Sequence, residues 1–328
     1  LIIRSMLSGV VAMCSAVLLF AAAPTAAQTY PNKPIKLIVP FTAGGGTDVL
    51  ARQLAENLTK AEGWNIVVEN RPGGNGIIAL STIARAAPDG YEIILALREN
   101  IVIAPLINPK GLTFDPLKSF TTIAFVANAP MMVVAAKDSK YTNFKQVLDT
   151  ASKDPTALRF GTSGLGSMSH LLLALLGTQA NAGMIHVPYK GSNPALTDLV
   201  GGHVEIVSGS IASAKPFVDS QRVIPLAVSS KARVPSYPNV PTIAELGYPN
   251  FEVAAWFGLF GPAGLPAPVV DKINAAVNKL LVNPAFVSTL QNQGMVTEPR
   301  SPAAFDKYFR SDYEELAKLI PKLDMAAK

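Results

Sequence analysis

Apolar residues fall into short runs separated by glycine-, proline- and asparagine-rich breaks. Residues 35–40 form a compact apolar run that predicts a buried strand. A glycine-rich turn, Phe41-Thr42-Ala43-Gly44-Gly45-Gly46, follows it. From Thr47 the apolar positions return at helical spacing through Leu50, Leu54 and Leu58, until Gly63 ends the helix. Residues 66–69 predict a second strand, 70–76 a turn and 77–87 a helix. Pro88-Asp89-Gly90 breaks that helix, and residues 91–97 predict a third strand.

The middle of the chain repeats the theme. Strands are expected over 131–136, 158–160, 185–188, 204–207 and 224–228. Helices are expected over 143–152, 168–176 and 192–200, the second stopped by Gly177 and the third by Gly201-Gly202. The strand 158–160 leads into a second glycine-rich turn, residues 161–167. A proline-rich traverse covers 235–249, residues 251–260 are extended and apolar, and the chain is helical from about 268. Alternating strands and helices predict an α/β fold with a parallel sheet, here in two units that each run strand, glycine turn, helix.

The longest apolar run, residues 6–23, stands after Arg4 and before Pro24 and a cluster of small residues. A basic start, an apolar centre and small residues at a cleavage point predict a secretory signal peptide over residues 1–27, cut after Ala27 or Ala23. As a membrane anchor the run is near the lower limit of about 18 residues, and no other run reaches spanning length. A lipid-anchored Cys14 is disfavoured by the bulky Met13 before it. Export to the periplasm is expected. Cleavage removes the single Cys and takes the net charge from +5 to +4, because Arg4 is the one charged residue lost.

Charged residues make up only 16% of the chain, against 49% hydrophobic. No glycine precedes a lysine, so a phosphate-binding P-loop is absent, and no serine stands in a G-x-S-x-G frame. Gly74-x-Gly76-x-x-Ala79 fits the loose dinucleotide pattern but is not in the first βα unit. His170, His186 and His203 lack metal-ligand spacing. No cofactor, metal or catalytic set is expected, and the scattered charges exclude a nucleic-acid surface.

The two glycine turns carry the chemistry. Glycines let backbone N–H groups converge, and a helix start adds partial positive charge, so such a turn binds an anion without a charged side chain. Hydroxyls of Thr42, Thr47, Thr162, Ser163 and Ser167 add donors. His170 lies in the first turn of the helix after the second glycine turn, where it either lines the site or bonds to backbone. Asp48 is either a residue favoured by the helix dipole or the holder of a bridging water or a ligand ammonium. Asp198 is placed at a cleft edge. Arg98 is expected either to clamp a second carboxylate or to pair with Glu99 at the surface.

These segments, in order, resemble the Bug/TctC-type substrate-binding receptors of tripartite tricarboxylate transporters. The likeness rests on Tyr30-Pro31 through Phe41, Gly44-Gly45-x-Thr47-Asp48, Val68-Glu69-Asn70-Arg71-Pro72-Gly73 and Ala87-Pro88-Asp89-Gly90-Tyr91. It continues through Gly164-x-Gly166-Ser167-x-Ser169-His170-Leu171, Val187-Pro188-Tyr189-Lys190-Gly191, Ala195-Leu196-Thr197-Asp198-Leu199, Pro241-Thr242-x-x-Glu245-Leu246-Gly247 and Trp256-Phe257-Gly258-Leu259-Phe260. The resemblance implies a two-domain periplasmic-binding-protein (Venus-flytrap) fold with a ligand cleft between the domains. One domain is residues 28–128 with 252–328, the other 129–251. It implies a receptor that captures a small organic carboxylate for a membrane permease, or presents it to a sensor kinase, and is not an enzyme; a monomer is expected. The implied ligand-binding residues are Phe41, Thr42, Ala43, Gly44, Gly45 and Asp48 on one side. On the other they are Ser163, Gly164, Gly166, Ser167 and His170, with Arg98, Asp198 and Ser210 as further candidates. Arg98-Glu99-Asn100 replaces a segment that is small and uncharged in the family, and Ala104 replaces an Asn; both are expected to shape ligand choice.

Overall fold

Strand β1 (Ile35–Val39) is buried at every position but Lys36, because it lies between two parallel neighbours. The computed structural model describes residues 30–323, and from Pro34 onward these belong to one compact unit. The leader, with Cys14, lies outside the described residues. Helix α1 (Gly46–Glu62) follows β1 and presents Leu50, Ala51, Leu54, Ala55 and Leu58 to the sheet, the one-sided stripe of an amphipathic helix. Gly63 ends it in the left-handed region at φ 71°. Strand β2 (Ile66–Asn70), helix α2 (Ile77–Ile83) and strand β3 (Glu92–Leu97) complete the first βαβαβ run. After β3 the chain makes a wide helical turn at Glu99–Ile103 and a short helix, α3 (Ala104–Ile107).

The middle supplies β4 (Phe120–Ala136), α4 (Phe144–Lys153), β5 (Arg159–Thr162), α5 (Met168–Gln179) and β6 (Ile185–Pro188). Next come α6 (Ser192–Val200), β7 (Ile206–Ser210), α7 (Ile211–Asp219) and β8 (Val223–Val228). Strand β9 (Ala254–Pro262) and helices α8 (Ala267–Leu281), α9 (Pro284–Asn292) and α10 (Pro302–Leu319) end the described fold. The strand order is β2-β1-β3-β9-β4-β7-β5-β6, with β8 also on β4.

Two parallel groups, β2-β1-β3 and β7-β5-β6, are therefore joined through antiparallel β9 and β4. The strand expected over 131–136 is the last part of a 17-residue strand. Pro130 hides this in the sequence, because proline cannot donate to a ladder. It stands where β4 changes partners, from β9 through Pro130 to β7 and β8 from Met131 or Met132 on. Register shifts on either side of Phe125, and again between Val133 and Val134, bend the strand between the two groups. The helix expected over 77–87 starts where expected but ends at Ile83, after which the bonds tighten to i→i−3, the Arg85 N–H to the Thr82 carbonyl and the Ala86 N–H to that of Ile83. An aromatic cluster fastens α10 to this junction. Trp256 and Phe260 of β9 and Phe125 of β4 meet Phe305 and Tyr308 or Phe309 of α10, mostly edge to face at 5.2–6.2 Å.

Candidate functional site

The first glycine turn is held from beneath by Asp48. Its buried carboxylate accepts from the Gly44 N–H at 2.9 Å, Arg52 Nε at 3.0 Å and Asn70 Nδ2 at 2.9 Å. Asn70 Nδ2 also donates to the Phe41 carbonyl at 3.1 Å, and Arg52 Nη2 donates to Asn70 Oδ1 at 3.2 Å. The bond from Arg52, then that from Gly44, hold the Asp48 carboxyl down to about 2. The expectation that Asp48 faces ligand is thus corrected: three intramolecular donors occupy it, and it shapes the turn instead. Thr42, Ala43, Gly44 and Gly45 are exposed and Phe41 is half-buried. Gly44 sits at φ 82°, a conformation that favours glycine. Gly45 is the N-cap of α1 and provides no side-chain cap, so the first N–H groups of a 17-residue helix open toward this exposed turn.

The second turn is built differently. Ser167 caps α5, its Oγ accepting from the His170 N–H at 3.2 Å and donating to the Gly164 carbonyl at 2.7 Å. Ser169, fully buried, is the hub: its Oγ accepts from the Ser163 N–H at 2.9 Å and lies 3.0 Å from the hydroxyls of both Ser163 and Ser167. The Gly166 N–H donates to His170 Nδ1 at 3.1 Å, the Gly164 N–H to Thr162 Oγ1 at 3.3 Å and the Ser167 N–H to the Gly164 carbonyl at 3.3 Å. Ser163, Gly164, Gly166, Ser167 and His170 therefore do come together. Their backbone donors, however, are satisfied within the turn, contrary to the expected grip by N–H groups. An Nδ1 that accepts requires a neutral His170 ring with its proton on Nε2. That ring stacks on His186 at 4.1 Å between centroids, and His186 Nε2 lies 2.6 Å from Thr162 Oγ1. Burial, then the neighbouring His170, push His186 down to about 4.

Three other candidates have side-chain partners outside the two turns. Arg98 neither faces ligand nor pairs with Glu99. It forms a bidentate pair with Asp312 of α10, Nε to Oδ2 at 2.9 Å and Nη2 to Oδ1 at 2.5 Å, while Nη1 donates to the Ala254 carbonyl at 3.2 Å. Trp256 Nε1 donates to the same carboxylate at 2.8 Å. Asp198, well along α6 from its N-terminus, accepts from the Tyr189 hydroxyl at 2.8 Å, and the Tyr189 N–H donates to the Thr162 carbonyl of the second turn at 3.0 Å. Ser210 caps α7 by accepting from the Ser213 N–H at 3.2 Å.

A cleft of about 650 Å³ lies between the two parallel groups. Gly74, Asn75 and Ile77 with Ala104 and Ile107 line one wall, and Leu165 and Gly166 line the other. Gly166 approaches so closely that a Cβ there would lie 3.1 Å from Ile107 Cδ1. The supporting residues missing from the sequence reading are Arg52, Asn70, Ser169 and His186. Only Asn70 and Ser169, inside the quoted motifs, had a signal that marked them.

The turn of Gly74 after β2 and the turn of Gly166 after β5 face each other across this cleft, Gly166 being the one expected ligand residue in its lining, and two antiparallel strands join the groups; this defines a periplasmic-binding-protein fold, the class of solute-binding receptors. Within that class the chain belongs to the family described as the tripartite tricarboxylate transporter family receptor, which matches residues 50–325. It is similar to a UPF0065 protein encoded between tcbD and tcbE in Pseudomonas sp. (strain P51), with 36% identity over 89% of this chain and 87% of that one. Among solved structures it resembles the R. palustris protein Rpa4515 with adipate, at TM-score 0.79 and 32% identity, covering 88% of this chain and 96% of that one. It also resembles the periplasmic binding protein BugD, at TM-score 0.76 and 33% identity, covering 91% and 100%.

Proposed function

We propose that this receptor binds a small organic carboxylate in the cleft and delivers it to the membrane permease of a tripartite tricarboxylate transporter. The observation that carries the reading is the first turn: exposed, glycine-built, set by Asp48, and backed by a helix start without a side-chain cap. An anion there gains the helix dipole and backbone donors at once. The second turn, with its donors satisfied internally, is the rigid opposing wall that the ligand meets through hydroxyls and ring edges. The adipate in the Rpa4515 structure supports a carboxylate as ligand.

In this reading the lobes are residues 28–128 with 252–328, and 129–251, hinged on β4 and the segment before β9. Ligand stabilises the closed arrangement through its greater affinity for it. The chain is exported by the leader 1–27, works as a monomer in the periplasm and turns nothing over. Thermal-shift measurements against mono-, di- and tricarboxylates, aromatic acids and acidic amino acids test the proposal. A ligand at about 100 times its Kd adds roughly 2.7 kcal/mol of stability. A panel in which no carboxylate raises the melting temperature would refute the carboxylate reading.

A further inference from the structure

The cleft between the two parallel groups has no ionised side chain among the described residues that line it. Ile77 at the start of α2, Ile107 at the end of α3 and Leu112 beyond it supply apolar surface on one side. Leu165 supplies it on the other. The polar side chains in the lining are the neutral amides of Asn75 and Asn108. Leu165 stands at the tip of the second turn and is 53% exposed. A single exposed leucine is ordinary, but this one joins three further apolar side chains in a concave site. Gly164 and Gly166 flank it at φ 134° and 71°, and this glycine-only course of the chain leaves the leucine at the tip. The gap is narrow, since a Cβ at Gly166 would lie 3.1 Å from Ile107 Cδ1. Apolar surface held open on both sides of such a gap is covered when an apolar group enters it.

The first turn adjoins this lining. Val39 of β1 pairs in parallel with Asn70 of β2, so both strands end at one edge. Asn70 Nδ2 donates to the Phe41 carbonyl at 3.1 Å, and the Arg71 N–H donates to the Val39 carbonyl at 2.8 Å. A few residues further on, the same segment becomes the Gly74 and Asn75 side of the cleft. The cations of that edge are committed elsewhere: Arg52 to Asp48, Arg71 to Glu69 and Arg98 to Asp312. Lys110 and Lys190, near the lining and the second turn in sequence, are exposed and outside the lining. The His170 ring behind Gly166 accepts at Nδ1 from the Gly166 N–H and is therefore neutral.

We infer that the cleft selects a monocarboxylate with an apolar body, aliphatic or aromatic, over a dicarboxylate of similar length. This rests on the carboxylate reading above, with the first turn holding the single carboxylate. The apolar body leaves water for the surface of Ile77, Ile107, Leu112 and Leu165, which favours binding. A second carboxylate in the same place loses hydration and meets no cation. Asn75 and Asn108 supply hydrogen bonds there but no charge.

The test is calorimetric titration of the full mature protein at pH 7.5 with matched acids: hexanoate against adipate, benzoate against terephthalate, and 3-phenylpropanoate against 3-(4-carboxyphenyl)propanoate. The expected result is that the monocarboxylate of at least one pair binds about tenfold or more tighter, because its partner buries an unpaired charge. Leu165→Ser then weakens that acid by about tenfold, the effect of losing apolar contact from a leucine side chain. Leu165→Arg supplies the missing cation and brings the ratio to within about threefold, or reverses it. Both variants change an exposed side chain, so the ligand-free melting temperature stays that of the parent. Dicarboxylates that bind as tightly as their partners overturn the inference while leaving the carboxylate reading intact. So does binding confined to di- or tricarboxylates or amino acids, or a preference that both variants leave unchanged. If neither these acids nor the wider thermal-shift panel binds the unaltered protein, the carboxylate reading fails and this inference with it.

Discussion

The Gly44 N–H donates to Asp48 Oδ2 at 2.9 Å, so the residue that opens the first helix also fixes the turn before it. Asp48→Asn puts an amide where three donors converge and costs about 2 kcal/mol, the range for a buried charged hydrogen-bond acceptor. Urea unfolding of the variant is expected to show that loss, with weaker ligand binding because the turn is no longer held.

Acid unfolding should report the same carboxylate. Its folded value, about 2, lies below the usual 3.8. The stability it contributes is therefore complete above about pH 4 and is lost as pH falls toward 2. Asp48→Asn should flatten the stability curve in that window and leave the slope above pH 5 unchanged.

Arg98→Ala removes the cation from a pair that is only 13% and 9% exposed. Breaking a buried pair costs about 3–5 kcal/mol, because the remaining charge is uncompensated. The variant should melt much lower, and more so than Asp312→Asn, in which both partners keep polar contacts. Any loss of affinity should be equal for mono- and dicarboxylates, since Arg98 points to Asp312 and not to ligand.

Glu99 and His186 give opposite pH signatures without ligand. Glu99 is raised from 4.5 to about 7, so the folded state is penalised as pH rises through that interval. Glu99→Gln should match the parent near pH 4.5 and melt higher at pH 8.

His186 is lowered from 6.5 to about 4, so the unfolded state takes up a proton that the folded state refuses. Stability should decline as pH falls from 6.5 toward 4. His186→Asn should reduce that decline, read as the shift in denaturant midpoint between pH 7.5 and pH 5.

The elements governed by local sequence were legible. The helix after the first glycine turn starts within a residue of Thr47 and stops at Gly63, and residues 192–200 form the expected helix. Both glycine turns sit at strand ends as the pattern requires. What failed was set at long range. The Asp312 partner of Arg98 is 214 residues away, and no local pattern links the two. The length of β4 was masked by Pro130, tolerated only because the strand changes partners there. The internal bonding of the second turn is local by contrast: the motif marked Ser169 but not that its hydroxyl would take up the Ser163 N–H and both neighbouring hydroxyls.

The placement of β9 and α10 bears on how the chain acquires its structure. β3 needs β9 on its open edge, and α10 covers β4, yet both come from the last quarter of the sequence. A chain made from its N-terminus forward therefore has β1 to β3 long before the parts that close over them. Pairings across such separations form slowly. Nearly the whole chain must be synthesised before the edge of the first sheet group is covered, and until then its apolar faces stay open to chaperones.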